Sequence, residues 1–172
     1  MNRGASKRSV ITIAHTFHKI WIHLIWCTKD RRPLLPKDIR ADVFAHLKEK
    51  AREEGIVLDA LNGTADHVHA LARLDPAQSL PQVVRYLKGE SSHWVNEQKL
   101  TAERFAWQEG YTALSYGESQ IPKVREYIKN QEEHHRRMSF KEELEGFLKQ
   151  FNIEGQSDVE KKEEEKKEKP GS

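Results

Sequence analysis

The chain has 172 residues, with 29 Lys and Arg against 27 Asp and Glu, for a formal net charge of +2. That length suits one domain with a normal core, and the absence of a long apolar run or an apolar N-terminal segment predicts neither a membrane helix nor a signal peptide. Cys27 is the only cysteine, which excludes an internal disulfide and makes a reducing, cytoplasmic setting the expected one.

The charge is unevenly spread. Residues 152–172 hold five Lys and seven acidic residues, so residues 1–151 carry +4. A mildly basic body is compatible with a nucleic-acid partner.

Residues 1–14 are basic, small and unpatterned, and are expected to form a flexible arm. Lys19 to Lys29 reads as a strand, with Ile20, Ile22, Leu24 and Trp26 on one face and Trp21, Ile25 and Cys27 on the other, His23 among them. Apolar residues on both faces predict a central strand covered on both sides. Asp30-Arg31-Arg32-Pro33 ends it and places Arg31 and Arg32 at the strand end, for phosphate contact or a solvated loop.

A helix is predicted from Pro36 to Glu54, with Ile39, Val43, Leu47 and Ala51 every fourth residue and Gly55 as its stop. Ile56 to Leu61 is a second strand, Asn62-Gly63 a turn or bulge, and Asp66 to Leu74 a third strand. Ser79 is an N-cap for a second helix that has Pro81 in its first turn and reaches Gln98. Gly110 to Tyr116 is a fourth strand, and Ser119 caps a helix from Ile121 to Arg137. Ser139 and Glu142 form a capping box for a last helix with Phe140, Leu144, Phe147, Leu148 and Phe151 on one side.

The fold class is therefore α+β: a ferredoxin-like βαββαβ antiparallel sheet with additional C-terminal helices. One sheet face is left open, and its apolar residues predict a covering partner or second copy. The tail 152–172 is low-complexity and charged, and is expected to be disordered.

Chemistry concentrates in two stretches. In Asp66-His67-Val68-His69 the side chains alternate, so His67 and His69 share a face about 7 Å apart while Val68 turns inward. Two such imidazoles can grip a divalent cation or be half-exposed surface histidines. In the helix after the fourth strand, Tyr127 and Gln131 are four apart and so neighbours, with His134 and His135 a turn further on. A phenol can attack a phosphate, and an amide oxygen can complete a cation site. On the second helix, Arg85, Lys88 and Ser92 can face a DNA backbone or simply solvent.

Together these segments resemble a known family. Asp66-His67-Val68-His69, Trp107-Gln108-Glu109-Gly110-Tyr111, and Tyr127-Ile128-Lys129-Asn130-Gln131 followed by His134-His135 look like the single-tyrosine HUH transposases of the insertion sequence 200/605 group. The similarity spans residues 15–151. It implies that His67, His69 and Gln131 bind Mg²⁺ or Mn²⁺, and that Tyr127 attacks single-stranded DNA at hairpin-marked ends to form a 5′-phosphotyrosine intermediate. It also implies a homodimer. Arg31, Arg32, Arg85, Lys88, Ser92, His134 and His135 are the candidate DNA contacts. The covalent intermediate conserves the phosphodiester's energy, and the chain carries no glycine-rich phosphate loop, so no nucleotide cofactor is expected. Two other readings are a domesticated relative acting on repeated chromosomal hairpins and a non-catalytic ferredoxin-like nucleic-acid-binding regulator.

Overall fold

The computed structural model describes residues 17–153, so the expected arm 1–14 and nearly all of the expected tail lie outside the described residues. Four strands form one antiparallel sheet: β1 (Ile20–Cys27), β2 (Val57–Gly63), β3 (His67–Leu74) and β4 (Thr112–Tyr116), in the order β2-β3-β1-β4. Between them run α1 (Lys37–Glu53) and α2 (Leu80–Glu97), followed by α3 (Ile121–Lys129), α4 (Gln131–His134) and α5 (Phe140–Gln150). The order and pairing are those of the ferredoxin-like βαββαβ fold read from the sequence.

Strand alternation explains both layers. Ile22, Leu24 and Trp26 of β1 and Val68, Ala70 and Ala72 of β3 form a core with α1 and α2. Trp21 and Ile25 of β1 and Leu71 of β3 face the other way, where they meet Ile121, Val124 and Ile128 of α3 and Phe140 of α5. The second sheet face is thus covered by the chain's own C-terminal helices, not left for a partner or second copy as the pattern had suggested. Gly55 ends α1 at a φ of 71°, a conformation that costs glycine little. The predicted capping box of Ser139 with Glu142 forms, and Ser79, read as an N-cap, proves to make one with Gln82 as well.

Three local expectations need correction. The ladder's irregularity lies between Leu58 and Ala60, while Asn62 and Gly63 stay paired with His69 and Val68. Gly63 is needed there for closeness: a Cβ on it would stand 2.2 Å from the His67 carbonyl oxygen. The predicted helix Ile121 to Arg137 is broken at Asn130, where φ is −96° and ψ 19°. The Asn62 amide donates to the Lys129 carbonyl at 2.8 Å and so takes up a helix-end acceptor. Ser119 is not its N-cap; a 3₁₀ turn over Glu118–Gln120 leads into α3, and Gln120 holds that position without a side-chain bond.

Candidate active site

β3 presents His67 and His69 on the face covered by the C-terminal helices. They are 1% and 0% exposed, so the half-exposed strand considered from the sequence is replaced by a sealed one. Each ring has its Nδ1 tied down. His67 Nδ1 lies 2.7 Å from Asp66 Oδ1, and Asp66 is itself held by Arg31 at 2.7 Å. His69 Nδ1 lies 2.9 Å from Nε2 of His23 on β1. His67 Nε2 lies 3.0 Å from His135 Nε2, and His69 Nε2 lies 3.5 Å from Glu143 Oε2, so both face the residues brought by α4 and α5. A neighbour that fixes one ring nitrogen and aims the other is the usual support of a metal-binding imidazole.

α3 and α4 bring the second half. Tyr127 stands edge-on to the His69 ring at 6.0 Å between centroids and to His134 at 4.9 Å. Gln131 opens α4 and is fully buried. Although the helix breaks between them, both side chains reach one acceptor, Glu143 of α5. The Tyr127 hydroxyl donates to Glu143 Oε1, and Gln131 Nε2 donates to the same oxygen at 3.2 Å. The other oxygen, Oε2, is 3.1 Å from His135 Nε2 and 3.5 Å from His69 Nε2.

Burial sets the protonation states. It lowers the His23 pKa to about 3, helped by His69, and the His69 pKa to about 4, although Glu143 opposes that shift. Burial likewise lowers His135. Burial raises the Glu143 carboxyl, but the neighbouring His69, the Tyr127 hydroxyl and His135 outweigh it and hold it well below the usual carboxylate range. Asp66 behaves the same way, with His67, Arg31 and Thr64 overcoming its burial. Tyr127 is pushed well above its ordinary value by burial first and by Glu143 second. At neutral pH His23, His69 and His135 are therefore neutral, Tyr127 keeps its proton, and Glu143 and Asp66 are carboxylates.

The donor set fits a cation. Ligand atoms from His67, His69, His135 and Glu143 all lie within 4.8 Å of one another. His69 Nε2 and Gln131 Oε1 are buried without a hydrogen-bond partner, a costly state that a metal ion would relieve. Of the residues singled out from the sequence, His67, His69, Tyr127, Gln131, His134 and His135 meet here. Arg31 serves Asp66 and lies 4.7 Å above the Phe140 ring.

Arg32, Arg85, Lys88 and Ser92 instead line a separate cavity of about 1130 Å³ between α2, the turn after β1 and residues 103–111. Two of them are already engaged there, Arg32 by Glu103 and Lys88 by the Gln108 and Gly110 carbonyls at 2.7 Å. Glu143 and His23 were missed as site residues. The signal for Glu143 was an acid on the apolar stripe of Phe140, Leu144 and Phe147; for His23, a polar residue on the inner face of an otherwise apolar strand.

Comparison with known proteins agrees with the fold. The family model described as "Transposase IS200 like" matches residues 16–131. The ISDra2 transposase TnpA of Deinococcus radiodurans is 28% identical over 119 residues, covering 66% of this chain and 85% of that protein. The transposase for insertion sequence element IS200 of Salmonella typhimurium is 29% identical over 126 residues, 70% and 82% of the two chains. A crystal structure of a candidate transposase from Deinococcus radiodurans R1 superposes with a TM-score of 0.55 at 26% identity, covering 76% of this chain and 98% of that one. A REP-associated tyrosine transposase bound to a REP hairpin shares the fold, with a TM-score of 0.51 at 13% identity over 70% of this chain and 72% of that one. The chain belongs to the IS200-like transposase family, a class of DNA-cleaving and DNA-transferring enzymes. No helix among the described residues is long and apolar enough to cross a membrane.

Proposed function

We propose that the protein cleaves and rejoins single-stranded DNA at hairpin-marked ends, with Tyr127 as nucleophile and His67, His69 and Gln131 as cation ligands. The observation that carries this reading is the convergence of the four side chains from β3, α3 and α4 on one cluster, with His67, His69 and Gln131 buried and Tyr127 half-buried beside them. A non-catalytic regulator would leave the unpaired His69 Nε2 and Gln131 Oε1 without a purpose.

The chemistry follows from the groups present. The Tyr127 oxygen bonds to phosphorus as the P–O3′ bond breaks, the tyrosyl proton is lost, and the departing 3′-oxygen gains a proton. The free 3′-OH later attacks the phosphotyrosine and restores the phosphodiester. In the closed pocket Tyr127 is a poor nucleophile, since burial and Glu143 both keep its proton on. A bound Mg²⁺ or Mn²⁺ would polarise the scissile phosphate and supply the positive charge the pocket lacks. Asp66 and His23 keep the two imidazoles aimed, and Glu143 holds the phenol in place.

Arg85 and Ser92, with Arg32 and Lys88, offer a basic cavity for the DNA backbone away from the tyrosine. A homodimer in the cytoplasm completes the reading, and the molar mass in solution checks the dimer. The decisive experiment incubates the protein with single-stranded hairpin DNA from its genomic flanks and Mn²⁺, then looks for a denaturant-resistant adduct. Tyr127→Phe is expected to abolish the adduct and leave DNA binding intact. An undiminished adduct in that variant would remove Tyr127 from the reaction.

A further inference from the structure

We infer that Glu143 is itself a ligand of the cation, a carboxylate that α5 adds to the two imidazoles and the amide. The inference rests on the proposed metal site and extends it to a helix beyond the residues that the family model matches.

Three observations lead there. The first is position: Glu143 is 4% exposed, on a stripe where Phe140, Leu144 and Phe147 are otherwise apolar. A buried carboxylate is unfavourable unless it is paired, and among the described residues no Lys or Arg pairs with Glu143. Its ionic neighbours are only His69, His134 and His135. The second is division of labour within the carboxylate. Oε1 accepts from Tyr127 and Gln131, whereas Oε2 is turned toward the Nε2 atoms of His69 and His135. The third is the unpartnered, fully buried His69 Nε2, which faces that same oxygen at 3.5 Å. A cation placed between that nitrogen and that oxygen would take a lone pair from each.

The added oxygen also changes which ion the site prefers. Two imidazoles and an amide favour Zn²⁺ over Mg²⁺ or Mn²⁺ on donor softness alone. An anionic oxygen ligand shifts the balance toward the harder ions. Glu143 also fixes Tyr127 relative to the cation, because one carboxylate reaches both.

The test uses the full chain freed of metal. Mn²⁺ is titrated in at neutral pH, free ion is read by electron paramagnetic resonance, and Zn²⁺ competes in a parallel series. Glu143→Gln is nearly isosteric and is expected to weaken Mn²⁺ binding by about tenfold or more while reducing Zn²⁺ affinity less. Glu143→Asp, which keeps the charge on a shorter stem, is expected to fall between it and wild type. In wild type itself, a carboxylate stretch is expected to shift in the infrared difference spectrum on Mn²⁺ addition, which needs no variant to fold. Equal or tighter Mn²⁺ binding by Glu143→Gln, or no carboxylate shift, would overturn the inference. If His67→Ala loses Mn²⁺ while Glu143→Gln keeps it, the metal reading stands and only the role of Glu143 falls. A wild-type chain that binds no Mn²⁺ would overturn both.

Discussion

Three histidines, His23, His67 and His69, occupy one face of the sheet, and two have pKa values pushed down by burial, to about 3 for His23 and about 4 for His69. In the unfolded chain each titrates near 6.5, so below that pH the unfolded state binds protons that the folded state refuses. Stability from these rings is complete above about pH 6.5 and falls as pH drops toward 4. For the metal-free protein, lowering the pH from 6.5 to 5 is expected to remove on the order of 2–3 kcal/mol, read as a lower thermal midpoint. His23→Phe should flatten that dependence if the chain accepts the ring. The spacing of His67 and His69 was legible in the sequence because a strand alternates. Their burial was not, since the helices that cover them lie some sixty to eighty positions further along. Glu143 was illegible for a similar reason: an acid in a helix with many acids reads as solvated until its neighbours are known.

At the scale of elements, the strands and first two helices followed from periodicity, and the Ser79 N-cap and the Ser139–Glu142 capping box formed as read. The break at Asn130 did not follow, because Val124 and Ile128 continue a helical pattern and the interruption depends on Asn62, from another strand. That break places Tyr127 and Gln131 on separate elements, with α4 anchored through Glu132 to Arg40 of α1 at 3.0 Å. The N-terminus of α5 depends on Ser139, whose hydroxyl accepts from the Glu142 amide at 3.3 Å. Ser139→Ala is expected to destabilise by about 1 kcal/mol, measured by urea denaturation. Gly63→Ala should do more harm than its size suggests. The new methyl group collides with the His67 carbonyl, and a loss of about 1–3 kcal/mol with weaker Mn²⁺ binding is the expected result of pushing β2 from β3.

Across the whole molecule, the proposed function divides between two regions. The pocket beneath α4 and α5 holds the reactive groups, while the cavity along α2 collects Arg32, Arg85 and Lys88. The sequence named members of both but could not separate them, since α2 and the site helices share a basic, polar character. Among the described residues Arg85 makes no ion pair, which leaves it free for phosphate. Arg85→Ala is expected to weaken DNA binding about equally for different sequences and reduce the slope of log affinity against log salt by about one, measured by fluorescence anisotropy. A sequence-dependent loss would instead mark Arg85 as a reader of bases.

The near-complete burial of His67, His69, Gln131 and Glu143 has a consequence in time. A sealed pocket exchanges its contents only as fast as its cover opens, however quickly the ion trades ligands in water. Stripping Mn²⁺ from the loaded protein with EDTA should therefore follow first-order decay, with a rate constant that stays level as EDTA is raised. A rate that climbed in proportion to EDTA would mean that the chelator reaches the ion directly. Weakening the start of α5 with Ser139→Ala should speed the release, because the same helix is both a wall of the pocket and its slowest clock.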